Sequence, residues 1–260
     1  MMTAERIARL FAKSRLRLAV AWRMLREFED TLPRSRCKLS FSQSGEDLIA
    51  WFLLQHFGIH RPTYVDVGAH HPEHLSNTAL FYLLGGHGVN IEPDPQLFPA
   101  FPRHRPRDVN LNVGIARSPG RMTYYRMSDP ALGTFCEEEA LRLSSEEGIA
   151  IEDRLEVPVD TIQNVLASCR CRPDFLTIDA EGKDLEILEA YDFAAHRPAV
   201  VCVETISFSL HGDGRKNEAV ARCMVDRGYR TYADTYVNTI FVDDARFRSL
   251  PSAASNGAAS

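Results

Sequence analysis

The sequence lacks several features that would place it in a particular class of protein. It has no run of about 18 apolar residues, so it predicts no membrane-spanning helix. It has no excess of basic residues: 30 Lys and Arg against 35 Asp and Glu give a formal net charge of −5, which argues against nucleic acid as a partner. Its 6 cysteines in 260 residues are too sparse for a disulfide framework and indicate reduced thiols in a cytoplasmic protein.

The charge is unevenly distributed along the chain. Residues 1–38 carry ten Lys and Arg against four acidic residues, and apolar side chains recur there at helical spacing. The pattern predicts a basic amphipathic helical extension over 1–40. Two interpretations stay open, since the helix either packs on its own domain or contacts a partner or the inner face of an anionic membrane through residues 1–30. The small polar tail, 251–260, is predicted to be disordered.

Strands and helices are predicted to alternate from residue 41 onward, which is typical of a parallel sheet covered on both faces. The sequence therefore predicts an α/β, Rossmann-like domain over 41–250, with a mostly parallel seven-stranded sheet and an antiparallel closing hairpin. An extra edge strand is predicted at 122–125. The acidic segment 128–156 is predicted to be an insert, either a lid or a solvated helical excursion. The predicted strands are 64–67, 88–91, 108–115, Phe175–Ile178, 199–203, 229–233 and 239–242.

The loop after the first predicted strand has few glycines. A dinucleotide-binding loop has the pattern GxGxxG, but only Gly68 of the three glycines is present, which disfavours a nicotinamide-dependent oxidoreductase. The loop suits a smaller zwitterion: Asp66 can bind an ammonium, and the polar groups of Asn77 and Thr78 can bind a carboxylate. Glu92 ends the second strand, where an acid typically binds both ribose hydroxyls. An amino acid joined to a ribose without a pyrophosphate describes S-adenosylmethionine.

Five ordered segments carry a resemblance to a known family. They are SQSGED (42–47), VDVGAHHPEHLSNT (65–78), VNIEPDP (89–95), LNVGIA (111–116) and FLTIDAEGKDLEIL (175–188). Together they resemble the FkbM-type methyltransferases, over roughly 41–242. The resemblance implies a class I methyltransferase fold and S-adenosylmethionine-dependent O-methylation, with S-adenosylhomocysteine as the product.

The resemblance also implies roles for individual residues. Asp179 and Glu181 match the motif beside the reacting methyl group, and the first segment places Gln43 at the methionine end of the cofactor. Ser44, in the same segment, is predicted instead to cap a helix over 48–57. The predicted cofactor-binding residues are Gln43, Asp66, Gly68, Ala69, His70, Asn77, Thr78, Glu92, Asn112, Val113 and Asp179.

A hydroxyl group is too weakly acidic to ionise unaided, so O-methylation requires a base or a metal. The candidate catalytic residues are Asp179, Glu181, Glu204 and His211. A divalent cation held by Asp179 and Glu204 is the alternative mechanism, and the resemblance does not require it. The expected acceptor is a small molecule or glycan, most simply a sugar, polysaccharide or glycolipid hydroxyl. A non-catalytic, cofactor-binding scaffold in glycan assembly is the second functional hypothesis.

Overall fold

The main body of the protein is a sheet with helices packed on both faces. The structure is a computed structural model and describes residues 38–211 and 214–250. The strands are β1 (Thr63–Val67), β2 (His87–Ile91), β3 (Val109–Leu111), β4 (Gly114–Ile115), β5 (Gly120–Met127), β6 (Ile151–Asp160), β7 (Phe175–Ile178), β8 (Val200–Glu204), β9 (Tyr229–Asp234) and β10 (Asn238–Asp243). The helices are α1 (Glu46–His56), α2 (Ala79–Leu83), α3 (Phe101–His104), α4 (Glu137–Glu146), α5 (Ile162–Cys169), α6 (Asp184–Ala190), α7 (Glu218–Asp226) and α8 (Asp244–Arg248).

The main sheet has seven strands in the order β3-β2-β1-β7-β8-β10-β9. The first five of these run parallel, and β10 runs antiparallel to both β8 and β9. The mostly parallel sheet and its closing hairpin confirm the predicted Rossmann-like fold. The strand order reverses between β1 and β7, and ligands of such sheets bind at this point, beyond the carboxyl ends of the strands.

Successive side chains of the central strands pack on opposite faces of the sheet. On one face, Val65 and Leu176 lie in a buried cluster with residues of α5, α6 and α7. On the other face, Tyr64 and Phe175 pack with residues of α1 and α2. Since both faces are covered, the strands read in sequence as continuous apolar runs. Cys202 of β8 is fully buried, as predicted for a small apolar side chain.

A second, three-stranded sheet in the order β4-β6-β5 was not expected. The third strand, predicted at 108–115, is divided: β3 joins the main sheet and β4 the small one. The chain leaves the main sheet at Asn112, whose side-chain amide donates to the carbonyl oxygens of Glu92 and Pro93 at 2.8 and 3.0 Å. The predicted edge strand 122–125 is the middle of the eight-residue β5, and it pairs with β6 rather than with the main sheet.

The acidic segment 128–156 contains α4 and the first part of β6. In β6, the side chains of 151–156 alternate between half-buried and exposed, which is the pattern of a strand with one covered face. The prediction missed this strand because Glu152, Asp153 and Glu156 make the segment look like a solvated loop. A lid role for 128–156 stays a prediction.

Helix α1 begins differently from the prediction that Ser44 caps it. Gly45 precedes the helix with a φ of 89° and has no side chain with which to cap it, and the backbone N–H of Asp47 in the first turn donates to the Ser42 hydroxyl at 3.3 Å. Glu46 is fully buried, and its Oε1 accepts hydrogen bonds from the Thr235 hydroxyl at 2.6 Å and the Asn238 amide at 3.2 Å. These bonds tie the start of α1 to the β9–β10 turn.

The predicted extension over 1–40, apart from residues 38–40, and the tail 251–260 lie outside the described residues. The membrane contact of residues 1–30 therefore stays a prediction. Within the described ranges, no helix combines the length and apolar character needed to cross a bilayer. The five cysteines of the described ranges are all unpaired.

Candidate active site

Two adjoining cavities lie at the carboxyl edge of the parallel strands. The inner cavity begins where β1 and β2 end, at Gly68 and Glu92, and its other walls include apolar side chains. The outer cavity has a volume of about 410 Å³ and extends toward β8 and the β9–β10 turn. The residues common to both linings are His70, Ala131, Asp179 and Glu181. A ligand that spans the two cavities therefore passes these four residues.

Gly68 allows the chain to turn sharply where β1 ends. Its φ is 75°, and a Cβ atom at this position would lie 1.7 Å from the carbonyl oxygen of Asp179. The backbone N–H groups of Gly68 and Ala69 donate to the carbonyl of Ile91 at 3.0 and 3.1 Å. Because the turn crosses directly over the end of β7, any side chain here would push the two strand ends apart. Gly68 lines the inner cavity, and Ala69 is buried behind it.

Glu92 lines the inner cavity at the end of β2. Its Oε2 accepts from the backbone N–H of His70 and its Oε1 from that of Asp94, both at 2.7 Å. Burial raises the pKa of Glu92 to about 8, against the lowering effect of these two bonds, and the charge of Asp94 adds to the rise. Each oxygen retains a further lone pair, so the carboxylate can accept from two adjacent hydroxyl groups.

Asp66 and Thr78 lie beneath the loop that joins β1 to α2. The Thr78 hydroxyl donates to Asp66 at 2.7 Å and accepts from the buried Arg105 at 2.9 Å. Burial raises the pKa of Asp66 to about 6. Among the described residues, Asp66 and Thr78 are not in the lining of either cavity. The geometry therefore gives no support to direct contact of Asp66 and Thr78 with a ligand, and this contact stays a prediction. The geometry favours an indirect role, in which the two residues shape the loop.

Arg105 extends this buried network to the loop itself. Its guanidinium donates to the carbonyl of Pro72 at 2.8 Å, to the hydroxyl of Tyr64 at 3.0 Å and to the carboxylate of Asp108 at 3.0 Å. The side chain is only 1% exposed. A buried charge is tolerated when it is paired and fully hydrogen-bonded, so this arginine fixes the path of the loop over β1.

The other predicted cofactor residues take different positions. Gln43 and Asn77 line the outer cavity, and the Asn77 amide donates to the Thr177 hydroxyl at 3.0 Å. Asn112 supports the end of β2, and Val113 packs against the main core. In the described part of the chain, these last two are outside both linings, and Ile115 lines the inner cavity instead.

Three carboxylates lie close together at the junction of the cavities. Two of them, Asp179 and Glu204, were predicted to lie side by side at the ends of neighbouring strands, and the structure confirms this position. One carboxylate oxygen from each of Asp179, Glu181 and Glu204 lies within 4.8 Å of the others. We call these three residues the carboxylate cluster. Glu181 has a φ of 43°, and its backbone carbonyl accepts from the Thr134 hydroxyl at 2.7 Å. Asp184 supports the turn by accepting from the N–H groups of Ala180 and Gly182.

Burial and mutual repulsion raise the pKa values of the carboxylate cluster. The pKa of Asp179 rises to about 7, first through burial and then through the charges of Asp184 and Asp66. The pKa values of Glu181 and Glu204 rise well above their usual range for the same reasons, since each is buried beside the other acids. With a pKa of about 7, Asp179 exchanges a proton near neutral pH, as a general base must.

The two candidate histidines differ in position. His70 lies between the cavities, and its buried Nδ1 has no hydrogen-bond partner among the described residues. Burial and the neighbouring His71 lower the pKa of His70, which keeps the ring neutral at pH 7. His211 is exposed and, considering the described residues, is outside both linings, so its catalytic role stays a prediction without support from the geometry.

Several lining residues were not found from the sequence. Phe135, Tyr124 and Gly133 reach the inner cavity from the small sheet and the segment after it, and Tyr236 and Asn238 reach the outer one from the β9–β10 turn. Their positions depend on strand pairing between distant segments. The period-two pattern of β6, taken together with the predicted strand 122–125, is the signal in the sequence that could have revealed the small sheet.

The sequence matches a known family model over most of its length. The model, described as the methyltransferase FkbM domain, matches residues 66–231. The chain belongs to this family. The match includes Gly68, Glu92 and the carboxylate cluster. The cofactor of FkbM methyltransferases is S-adenosylmethionine, and methyl transfer converts it to S-adenosylhomocysteine.

Solved methyltransferase structures match the FkbM chain weakly. One is 1,6-didemethyltoxoflavin-N1-methyltransferase from Burkholderia thailandensis with 1,6-didemethyltoxoflavin and S-adenosylhomocysteine bound; it is 9% identical, with a TM-score of 0.38, over 93% of this chain and 89% of that chain. Precorrin-6y C5,15-methyltransferase from Geobacter metallireducens is 12% identical, with a TM-score of 0.36, over 82% and 94% of the two chains. At these TM-scores the likeness says nothing about the site. No curated protein matches the sequence significantly.

Proposed function

We propose that this FkbM methyltransferase transfers the methyl group of S-adenosylmethionine to a hydroxyl oxygen of a sugar-type acceptor. The observation that carries the proposal is the carboxylate cluster at the junction of the two cavities. A group that accepts a proton is needed where a hydroxyl becomes a nucleophile, and the cluster supplies it at the point that a ligand spanning both cavities must pass.

The residues of the inner cavity fit the nucleoside part of S-adenosylmethionine. Glu92 would accept hydrogen bonds from the two ribose hydroxyls, because both of its oxygens are anchored and still have acceptor capacity. The apolar side chains of Leu97, Ile115 and Phe135 would enclose the adenine ring. The Nδ1 of His70, which has no hydrogen-bond partner in the part of the chain that the structure describes, is a further polar group available to the ligand. The positive sulfonium would then lie beside the negative carboxylate cluster.

The reaction is a displacement at carbon. The bound cofactor supplies a methyl group on sulfur: the acceptor oxygen forms the new bond to carbon, the carbon–sulfur bond breaks, and its electron pair stays on sulfur. A carboxylate of the cluster accepts the hydroxyl proton, and Asp179, with a pKa of about 7, is suited to hold it at neutral pH. The walls of the two cavities align oxygen and carbon, which is the larger part of what the protein must do.

The outer cavity has the chemical character of a sugar site. Amide and hydroxyl groups of Asn77, Ser207 and Asn238 line it together with the aromatic rings of Phe208 and Tyr236. Such groups bind hydroxyls by hydrogen bonds and cover the apolar face of a sugar ring. At about 410 Å³, the cavity has room for a sugar unit at the end of a longer chain.

The proposal is tested by labelled methyl transfer. The full chain is incubated with S-adenosylmethionine carrying a deuterated methyl group and with cell-envelope glycan fractions, and the hydrolysed products are analysed by mass spectrometry. We expect the label on a sugar oxygen, and its loss in the variant Glu181→Gln but not in Glu189→Gln, an exposed acid on α6 outside both cavities. Label on nitrogen or carbon would contradict the proposal. Tight cofactor binding without transfer to any fraction would favour the scaffold hypothesis instead.

A further inference from the structure

We propose that the carboxylate cluster, Asp179, Glu181 and Glu204, binds one divalent cation of the oxygen-preferring class, Mg²⁺, Mn²⁺ or Ca²⁺. The role that we give to this cation rests on the proposed function. Its binding does not, because neither the cofactor nor the acceptor is needed to form the site.

The spacing of the three carboxylates suits a single ion. Points that are all within 4.8 Å of one another lie within about 2.8 Å of a common centre, by plane geometry. Oxygen ligands lie about 2.0–2.1 Å from Mg²⁺ and about 2.3–2.6 Å from Ca²⁺. Changes in side-chain torsion that move each oxygen by less than about 1 Å would therefore bring one oxygen of each residue to bonding distance, without movement of the strands that carry them.

The environment of the Glu181 carboxylate is a second, independent observation that indicates a bound ligand at the cluster. Glu181 is only 8% exposed, and it lines both cavities. Within the described ranges, no hydrogen bond or ion pair reaches its carboxylate. Buried carboxylates in proteins are paired, hydrogen-bonded or bound to a metal, because removing a lone charge from water is costly. A side chain held in this position without a partner is thus poised for a partner from solution.

Two cationic side chains of neighbouring segments, Lys183 in the lining of the inner cavity and Arg142 on α4, are paired with other acids. Lys183 Nζ lies 3.1 Å from Glu186, and Arg142 pairs with Glu139 at 2.6 Å. Of the ion pairs among the described residues, none includes a member of the carboxylate cluster. Within the described ranges, the negative charge of the three acids is therefore not offset by an ion pair, and protons or a metal ion from solution can offset it.

The donor set selects the class of ion. All three ligands are carboxylates, and hard divalent cations prefer oxygen, whereas zinc and copper favour histidine and cysteine. The ion would retain open positions, since such cations take six or more ligands and the cluster supplies three, and all three residues line the outer cavity. An acceptor hydroxyl bound at such a position would lose its proton more readily, because a cation stabilises the alkoxide, and the proton would pass to the second oxygen of one of the three carboxylates.

The test is binding of Mn²⁺ to the metal-free full chain, followed by electron paramagnetic resonance, with and without S-adenosylhomocysteine. We expect one Mn²⁺ per chain, displaced by Mg²⁺ or Ca²⁺. Each of the variants Asp179→Asn, Glu181→Gln and Glu204→Gln should weaken binding by more than about tenfold. The control Glu218→Gln removes an exposed acid that pairs with Arg222 at the surface, and it should bind Mn²⁺ as the wild type does.

Thermal unfolding provides a second readout if a variant folds poorly. Mn²⁺ should raise the unfolding temperature of the wild type and of Glu218→Gln, and leave that of Glu181→Gln unchanged. The proposal is overturned if the wild type binds no Mn²⁺, or if the three variants bind it as tightly as the wild type. Glycan methylation that is undiminished after thorough chelation would overturn the role that we give to the cation, while leaving the proposed function intact. Mn²⁺ binding without methylation would contradict the proposed function alone.

Discussion

The change Glu92→Gln tests the assignment of the ribose site. The carboxylate accepts two backbone hydrogen bonds at 2.7 Å and is proposed to accept two more from the ribose. Gln keeps the size of the side chain but has one acceptor oxygen, so its NH₂ group faces one of the two backbone N–H donors. Charge-assisted hydrogen bonds contribute roughly 1.5–3 kcal/mol each, and neutral ones about half of that.

From these values we expect Glu92→Gln to weaken binding of S-adenosylhomocysteine by about 2–4 kcal/mol, or roughly 30- to 700-fold. The assay is titration calorimetry at about pH 8.5, where a carboxyl group with a pKa of about 8 is mostly ionised. Under the same conditions NAD⁺ is expected not to bind, because the loop after β1 lacks the glycines of a pyrophosphate site.

The matched control is Glu73→Gln. Glu73 is an exposed acid on the same loop, and its side chain lies 3.1 Å from His104. The variant Glu73→Gln should bind S-adenosylhomocysteine with the affinity of the wild type. If Glu92→Gln remains folded and binds S-adenosylhomocysteine within threefold of the wild type, on the order of measurement error, Glu92 is not the ribose ligand and the placement of the nucleoside in the inner cavity is wrong.

Three further predictions concern the scaffold of the site. Burial raises the pKa of Glu92 to about 8, so the stability that this group contributes is fully present below its unfolded pKa and is lost as the pH rises through 8. The free energy of unfolding should therefore fall by up to about 1 kcal/mol per pH unit between roughly pH 5 and 8. The fall should be less steep in Glu92→Gln, and an equally steep fall in this variant would contradict the raised pKa. Gly68→Ala should cost at least about 2 kcal/mol in urea unfolding, because its Cβ would meet the Asp179 carbonyl, whereas Gly120→Ala, with open space around it, should cost little; equal losses would contradict the crossing. Arg105→Met should cost about 3–5 kcal/mol by removing the cationic partner of the buried Asp108, and exposed Arg103→Met should be neutral in the same melts; a stable Arg105 variant would show that the network does not hold the loop.

The parallel strands and their ends could be predicted because their signals are local. The apolar runs before Glu92, Asp179 and Glu204 marked three strands, and parallel strands bring their carboxyl ends to one edge. The proximity of Asp179 and Glu204 in the structure confirms this reasoning. Gly68 was found in the same way, from a strand followed by a turn.

The walls of the cavities could not be predicted by the same means. Phe135 and Tyr124 reach the inner cavity only because β5 pairs with β6, at a separation of about thirty residues that no local pattern encodes. Asp66 was predicted to face a ligand because it stands at a strand end. Thr78 was predicted to bind the ligand as well, but the sequence does not reveal that its hydroxyl bonds to Asp66 and to Arg105, because these contacts depend on the folded chain.

A crystal structure of the full chain with S-adenosylhomocysteine tests the central claim most directly. The account predicts the ribose hydroxyls on Glu92, the adenine among the apolar side chains of the inner cavity, and the sulfur beside Asp179 and Glu181 at its junction with the outer cavity. A ligand bound with its ribose away from Glu92, or with its sulfur remote from these two acids, would contradict it.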